Sequence, residues 1–287
     1  MTSRPLTSLQ MPVHALVQVF APVLMLVGLS GCAGGGGDAS TAGPATAYGL
    51  GLACGDGARD QAAGYAVENN VWNKQGASGY RQCVGIAPAA GGSGVDAAWT
   101  WSWPGASTTV RSYPELIFGR KPWSATTHPG LPRRLSQLSQ VQVQVQLAYD
   151  STHTGAGNLA FDVWLTASDT PVGDHLPLKH ELMVWLDRFG GMTPAGRVVD
   201  TVDIAGITWD LYVTTADWGP EPFQYLAYLP RAALPSPVAL DLQAFLAHLK
   251  SRSSIAGNER LASVEFGNEV ISGTGSTHIT GYTVHIQ

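Results

Sequence analysis

Val141–Leu147 reads VQVQVQL. Its strict alternation is the period of a strand, sending Val143, Val145 and Leu147 to one side and Gln142, Gln144 and Gln146 to the other. A sheet with one dry face and one amide-lined face suits an antiparallel sandwich, in which a second sheet covers only the apolar side. Asn158–Thr166, NLAFDVWLT, repeats the design with Phe161, Val163 and Leu165 facing one way and Asp162 and Trp164 the other. His180–Leu186, HELMVWL, does so again, with Leu182, Val184 and Leu186 opposed to Glu181, Met183 and Trp185. An acid flanked at i+2 and i+4 by a thioether and an indole suggests a lined cleft, where a ligand stacks beside a carboxyl group.

The rest of the chain extends the pattern. Of 287 residues, 45% are hydrophobic and only 13% charged, too few charges to face many helices, and Gly 34 and Pro 18 supply turns. Strands are predicted over Tyr65–Trp72, Ala97–Trp103, Ile207–Thr214 and Phe223–Leu229. In Ala97–Trp103 the alternation puts Trp99, Trp101 and Trp103 on one face, as core or as a sugar platform. Only Leu240–Lys250 has helical spacing, with Leu242, Phe245, Leu246 and Leu249 on one side and Pro237 just ahead. Leu261–Ile286 reads as a closing hairpin that turns at Ser272-Gly273-Thr274-Gly275 and places Glu265 and Glu269 on one face. The architecture expected is an all-β sandwich of two antiparallel sheets with one helix laid on it, without internal repeats.

The first residues form a targeting segment. Arg4 precedes an apolar stretch from about Ala15 to Leu29, which ends in Leu29-Ser30-Gly31-Cys32. Small residues followed directly by Cys resemble the lipobox of bacterial lipoproteins. Residues 1–31 are therefore expected to be a signal peptide, Cys32 a lipidated first residue of the mature chain, and 32–47 a Gly/Ala/Ser-rich tether to a domain at 48–287. The protein is expected to be exported and held on a membrane of the bacterial envelope, or secreted, and to act as a monomer. In an oxidising compartment the remaining pair, Cys54 and Cys83, is expected to form a disulfide, which closes a loop worth about 3 kcal/mol.

The formal net charge is -5 with no basic run, which argues against nucleic acid as a partner. The 8 His are scattered, and no serine-nucleophile elbow, nucleotide loop or zinc motif is present. A pair of carboxylates across a cleft of indoles and amides is the equipment for cutting a glycosidic bond, one candidate among several on composition alone, and a non-catalytic glucan-binding lipoprotein on the same fold is the alternative.

The motifs are more specific. In order along the chain stand Asn69-Asn70-Val71-Trp72, the Cys54 and Cys83 pair around it, Trp101-Ser102-Trp103, Arg111-Ser112-Tyr113-Pro114-Glu115, Phe161-Asp162, Glu181-Leu182-Met183-Val184-Trp185-Leu186 with Gly190-Gly191 and Pro194-Ala195-Gly196, and Phe266-Gly267-Asn268-Glu269. With these the chain from Tyr48 to Gln287 resembles glycoside hydrolase family 12, the endo-β-1,4-glucanases and xyloglucanases of the clan C β-jelly roll. The resemblance implies a jelly-roll sandwich with the helix on its convex side. It implies Glu181 as nucleophile, Glu269 as acid/base and Asp162 as an acid hydrogen-bonded to the nucleophile. Asn70, Trp72, Met183 and Trp185 would hold glucosyl units, with Trp101 and Trp103 as further candidate contacts. The implied substrate is a β-1,4-glucan (cellulose, mixed-linkage glucan or xyloglucan), cut by a retaining double displacement without metal or organic cofactor.

Several residues stand apart. Glu265 competes with Glu269 for the acid/base role because both share a face. Glu115 and Glu221 read as loop or surface residues, and His180 as packing. Val270-Ile271 replaces the Pro and aromatic residue that commonly follow the family's acid/base. The loop Thr215–Glu221, TADWGPE, also departs from the family pattern, and its Trp218 is an extra sugar contact or a packing residue.

Overall fold

The computed structural model describes residues 45–149 and 153–287, and of 45, 46, 148 and 149 only the backbone. The signal peptide, Cys32 and most of the tether lie outside the described residues. In chain order the strands are β1 (Ala45–Ala47), β2 (Leu50–Leu52), β3 (Arg59–Ala62), β4 (Tyr65–Val71), β5 (Arg81–Pro88), β6 (Val95–Trp103), β7 (Ser112–Gly119), β8 (Arg133–Arg134), β9 (Val141–Tyr149), β10 (Ala156–Thr166), β11 (Leu178–Phe189), β12 (Arg197–Ile204), β13 (Ile207–Ala216), β14 (Phe223–Pro230) and β15 (Val238–Asp241). The helix α1 (Leu242–Ser251) follows, then β16 (Arg260–Gly267) and β17 (Val270–Ile286).

The strands form two layers. The larger runs β3-β4-β7-β16-β10-β11-β14-β13-β12, antiparallel except for the parallel pair β11–β14. The smaller runs β15-β9-β17-β6-β5. Between them lies one core, to which β10 contributes Phe161, Val163 and Leu165, β11 Leu182, Val184 and Leu186, and β9 Val141, Val143 and Val145. The glutamines of β9 point outward, as their alternation predicts. Helix α1 begins at Asp241, whose side chain accepts the Gln243 N–H and so satisfies a first-turn donor. Its Phe245 ring lies 4.9 Å from Tyr228 and 5.0 Å from Trp209, on the core side of the larger layer and opposite the Glu181 face. Cys54 and Cys83 are joined in a disulfide that fixes the segment before β3 to β5.

Two expectations change. The end of the segment expected to be a tether is paired: Ala45–Ala47 joins Leu50–Leu52 through a two-residue turn in which Tyr48 and Gly49 have φ of 54° and 80°, the mirror-image turn that matches strand twist. The closing hairpin does not exist. Residues Ser272–Gly275 lie inside β17, which starts beside β7 and β10 in the larger layer and continues between β6 and β9 in the smaller. Gly275 permits this passage, since a Cβ there would stand 2.3 Å from the Trp101 ring. The chain break is at Asn268-Glu269 instead, and β16 pairs with β10 and β7 rather than with β17.

Trp99, Trp101 and Trp103 are all core. Trp101 and Trp103 point between the layers, where Trp103 stacks on Tyr80 at 4.1 Å and its indole N–H donates to Gln82 Oε1 at 3.0 Å. The reading of these two as sugar contacts is thereby corrected: their rings are spent on packing the sandwich.

Candidate active site

The pleat that buries Leu182, Val184 and Leu186 must send Glu181, Met183 and Trp185 to the other face of the larger layer. The register then gathers acids. Asp162 of β10 lies opposite Met183 on one side and Glu265 of β16 on the other, and Glu115 of β7 lies opposite Gly267 of β16. Glu269 enters from the β16–β17 turn.

Glu181 is only 7% exposed, and its Oε2 has no hydrogen-bond partner. Burial pushes its pKa up to about 8, helped by the Glu269 charge, while the Trp218 side chain and the Lys121 ammonium work in the opposite direction. Glu269 is partly exposed and clamped to Asn158. The Asn158 side-chain amide donates to Glu269 Oε2, the Glu269 backbone N–H donates to Asn158 Oδ1 at 2.9 Å, and the Asn158 N–H donates to the Glu269 carbonyl at 3.0 Å. Burial raises Glu269 to about 7 against the pull of the Asn158 hydrogen bond. Two acids that sense each other and both titrate near neutrality carry about one charge between them there. One ionised and one protonated carboxyl is the state from which an acetal can be attacked and its leaving oxygen protonated.

Asp162 is buried, with an Oδ1 that finds no hydrogen-bond partner, and burial followed by the Glu181 charge holds its pKa well above the carboxylate range. It couples to Glu181 through charge. Glu265, the competitor for the acid role, is fully buried: Lys121 Nζ stands 3.6 Å from its Oε2, and Ser263 donates to its Oε1 at 2.8 Å. Glu115 is not the surface residue its motif suggested. It is 0% exposed, accepts from the Lys121 ammonium and from the Asn70 amide at 2.9 Å, and is raised well above its ordinary range by burial, against the Lys121 charge.

The candidate sugar contacts divide. Trp72, at the end of β4, is 54% exposed, and Asn70 faces the cleft beside Glu115. Met183 and Trp185 sit on the cleft face yet are covered, packed with Ala160, Trp164, Tyr225 and Leu229 and overlaid by Met192 and Tyr212. They are the layer beneath the floor, and the expectation that a glucosyl ring rests on them is corrected accordingly. The exposed indoles other than Trp72 are Trp123, edge-on to Trp164 at 5.2 Å, and Trp218. Asn158, Lys121 and Tyr225 were missed in the sequence. The first shares the parity of Asp162 on β10 and was legible there; the other two reach the site only through strand order. Among the described residues no group of three or more His, Cys, Asp or Glu is placed to hold a metal ion.

Comparison with known proteins agrees with this geometry. The family model described as glycosyl hydrolase family 12 matches residues 63–287. Endoglucanase S of Pectobacterium parmentieri is 30% identical over 78% of this chain and 82% of its own length. A xyloglucan-specific endo-β-1,4-glucanase A of Emericella nidulans is 29% identical over 81% of this chain and 90% of its own. Among solved structures, the native family 12 xyloglucanase from Bacillus licheniformis superposes with a TM-score of 0.73 at 27% identity, covering 82% of this chain and 100% of that one.

Proposed function

Because the chain belongs to glycosyl hydrolase family 12, we propose that it is a retaining endo-β-1,4-glucanase in which Glu181 is the nucleophile and Glu269 the acid/base. The observation that supports this most is the pair itself, two raised carboxyls from β11 and the β16–β17 turn on one cleft face, with exposed Trp72 on the flank. Glu181 attacks the anomeric carbon while the Glu269 proton passes to the departing glycosidic oxygen, leaving a covalent glycosyl-enzyme. Water, deprotonated by Glu269 as base, then displaces Glu181 and restores the starting anomer. Asp162, kept protonated by burial, limits the negative charge around Glu181. Retention calls for about 5–5.5 Å between the two carboxyls in the substrate complex.

The bond cut belongs to the glucan backbone, which unbranched glucan and xyloglucan share. Carboxymethyl cellulose, mixed-linkage β-glucan and xyloglucan are therefore the test panel. The wild type is expected to release reducing ends, with product of unchanged anomeric configuration by proton NMR. Glu181→Gln and Glu269→Gln are each expected to lose roughly three or more orders of magnitude in rate. No cleavage of any glucan by the wild type would refute the enzyme; inverted product would refute the mechanism.

We further propose that the enzyme is exported and anchored through Cys32. The lipobox-like Leu29–Cys32 and the Cys54–Cys83 disulfide support this reading. Full-length protein should partition with membranes, and Cys32→Ser should release it or block its processing; a soluble, correctly processed wild type would sink the proposal.

A further inference from the structure

Trp218 lies in the β13–β14 loop, which carries none of the residues assigned above to catalysis or sugar binding. It is 56% exposed, whereas Trp164 and Trp185 of the same face are buried. Its exposure is not looseness. The ring meets Phe223 edge-on at 5.8 Å and Tyr225 at 5.6 Å. Gly219 lets the loop lie flat on Phe223, where a Cβ would come within 2.8 Å of that ring. Glu221 ties the loop's far end to the root of β11 by accepting the Leu178 N–H at 2.6 Å.

This bracing fixes the indole over Glu181, because Tyr225 is the residue that pairs with Glu181 in the parallel register of β11 and β14. Facing Glu181 are also Asp162 from β10, Glu265 from β16, Glu269 from the turn after it, and Lys121 from the segment after β7. The two of these neighbours best able to donate are engaged elsewhere. Lys121 is held by Glu115 and Glu265, and the Tyr225 hydroxyl donates to Met183 Sδ at 3.3 Å. Of the indoles on this face, Trp218 is the one whose N–H interacts with Glu181 so as to favour the ionised form, while the Trp164 and Trp185 N–H groups stay buried without a partner.

Burial alone favours the wrong microstate. The more deeply buried Glu181 resists ionisation more than Glu269, which already has the Asn158 amide, whereas the reaction needs the charge on Glu181 and the proton on Glu269. We infer that Trp218 is a positioning residue for the nucleophile, its braced indole N–H drawing the single negative charge of the pair onto Glu181. The inference rests on the assignment of Glu181 and Glu269 above.

The test is the pH profile of kcat/KM, which reports the free enzyme. Trp218→Phe keeps the ring contacts and loses the N–H. Its acidic limb should move to higher pH by roughly one unit, read as an about tenfold loss on the acid side and little loss at the alkaline end of the range. Trp218→Gln, which restores a donor without the ring, should bring the limb part of the way back. Melting temperatures close to wild type confirm that the exposed loop tolerates both changes. A wild-type limb in Trp218→Phe, or a change in KM alone, overturns the inference and makes the ring a sugar platform. An inactive wild type, or a Glu181→Gln that retains activity, overturns the functional assignment instead.

Discussion

The two faces of β10 and β11 are buried to nearly the same degree and built for opposite ends. On one face Phe161, Val163, Leu165, Leu182, Val184 and Leu186 meet the opposing sheet with no polar atom among their side chains. On the other, Asp162 and Glu181 are packed just as tightly beside Glu265, Glu115 and the single ammonium of Lys121. Burial stabilises the first face and taxes the second, because a carboxylate loses its hydration where a methyl group loses only unfavourable contact with water. The same sandwich that stabilises the domain also lifts the pKa values of its acids toward neutrality.

That contrast can be broken from either side. Lys121→Met should have the larger effect on stability, since it leaves Glu115 and Glu265 buried without their cation. A cost of about 3–5 kcal/mol is expected at neutral pH, shrinking as pH falls and Glu115, raised by burial, takes up a proton, measured by urea unfolding at pH 5 and pH 8. Leu182→Ala, on the dry face of the strand that carries Glu181, should cost about 2–5 kcal/mol at both pH values, because a cavity does not titrate. A Lys121→Met cost that does not depend on pH would show that the buried cation serves packing alone.

The raised acids also make the wild type itself sensitive to pH. Glu181 and Glu269 rise from an ordinary 4.5 to about 8 and about 7 in the folded protein. Between those limits the native state binds more protons than the unfolded chain, so stability declines as pH rises. The melting temperature should be clearly lower at pH 8 than at pH 5. Glu181→Gln should flatten the slope, and a wild type that gains stability across this interval would contradict the raised values.

Alternation in the sequence determined a great deal. The strands β9, β10 and β11, the partition of each into a core face and a second face, the helix α1 and its buried Phe245, and the disulfide all follow from residue spacing and type, because those signals are local. The assignment proposed for Glu181 and Glu269 rests on motif resemblance. What the tertiary structure decided was everything that depends on which strand lies beside which. Glu115 is a surface residue by its motif and a buried acid by its neighbours, since β7 stands between β4 and β16. Ser272–Gly275 reads as a turn and is the stretch where one strand changes sheets, since glycines beside Trp101 allow passage as readily as reversal. Trp101 and Trp103, open between core and sugar platform in the sequence, are packing, as is Trp185, while Trp218, undecided in the sequence, is braced by Tyr225 and Phe223. A side chain's face is fixed by the pleat of its own strand; whether that face is open, and what charge stands beside it, is fixed by residues far away in the chain.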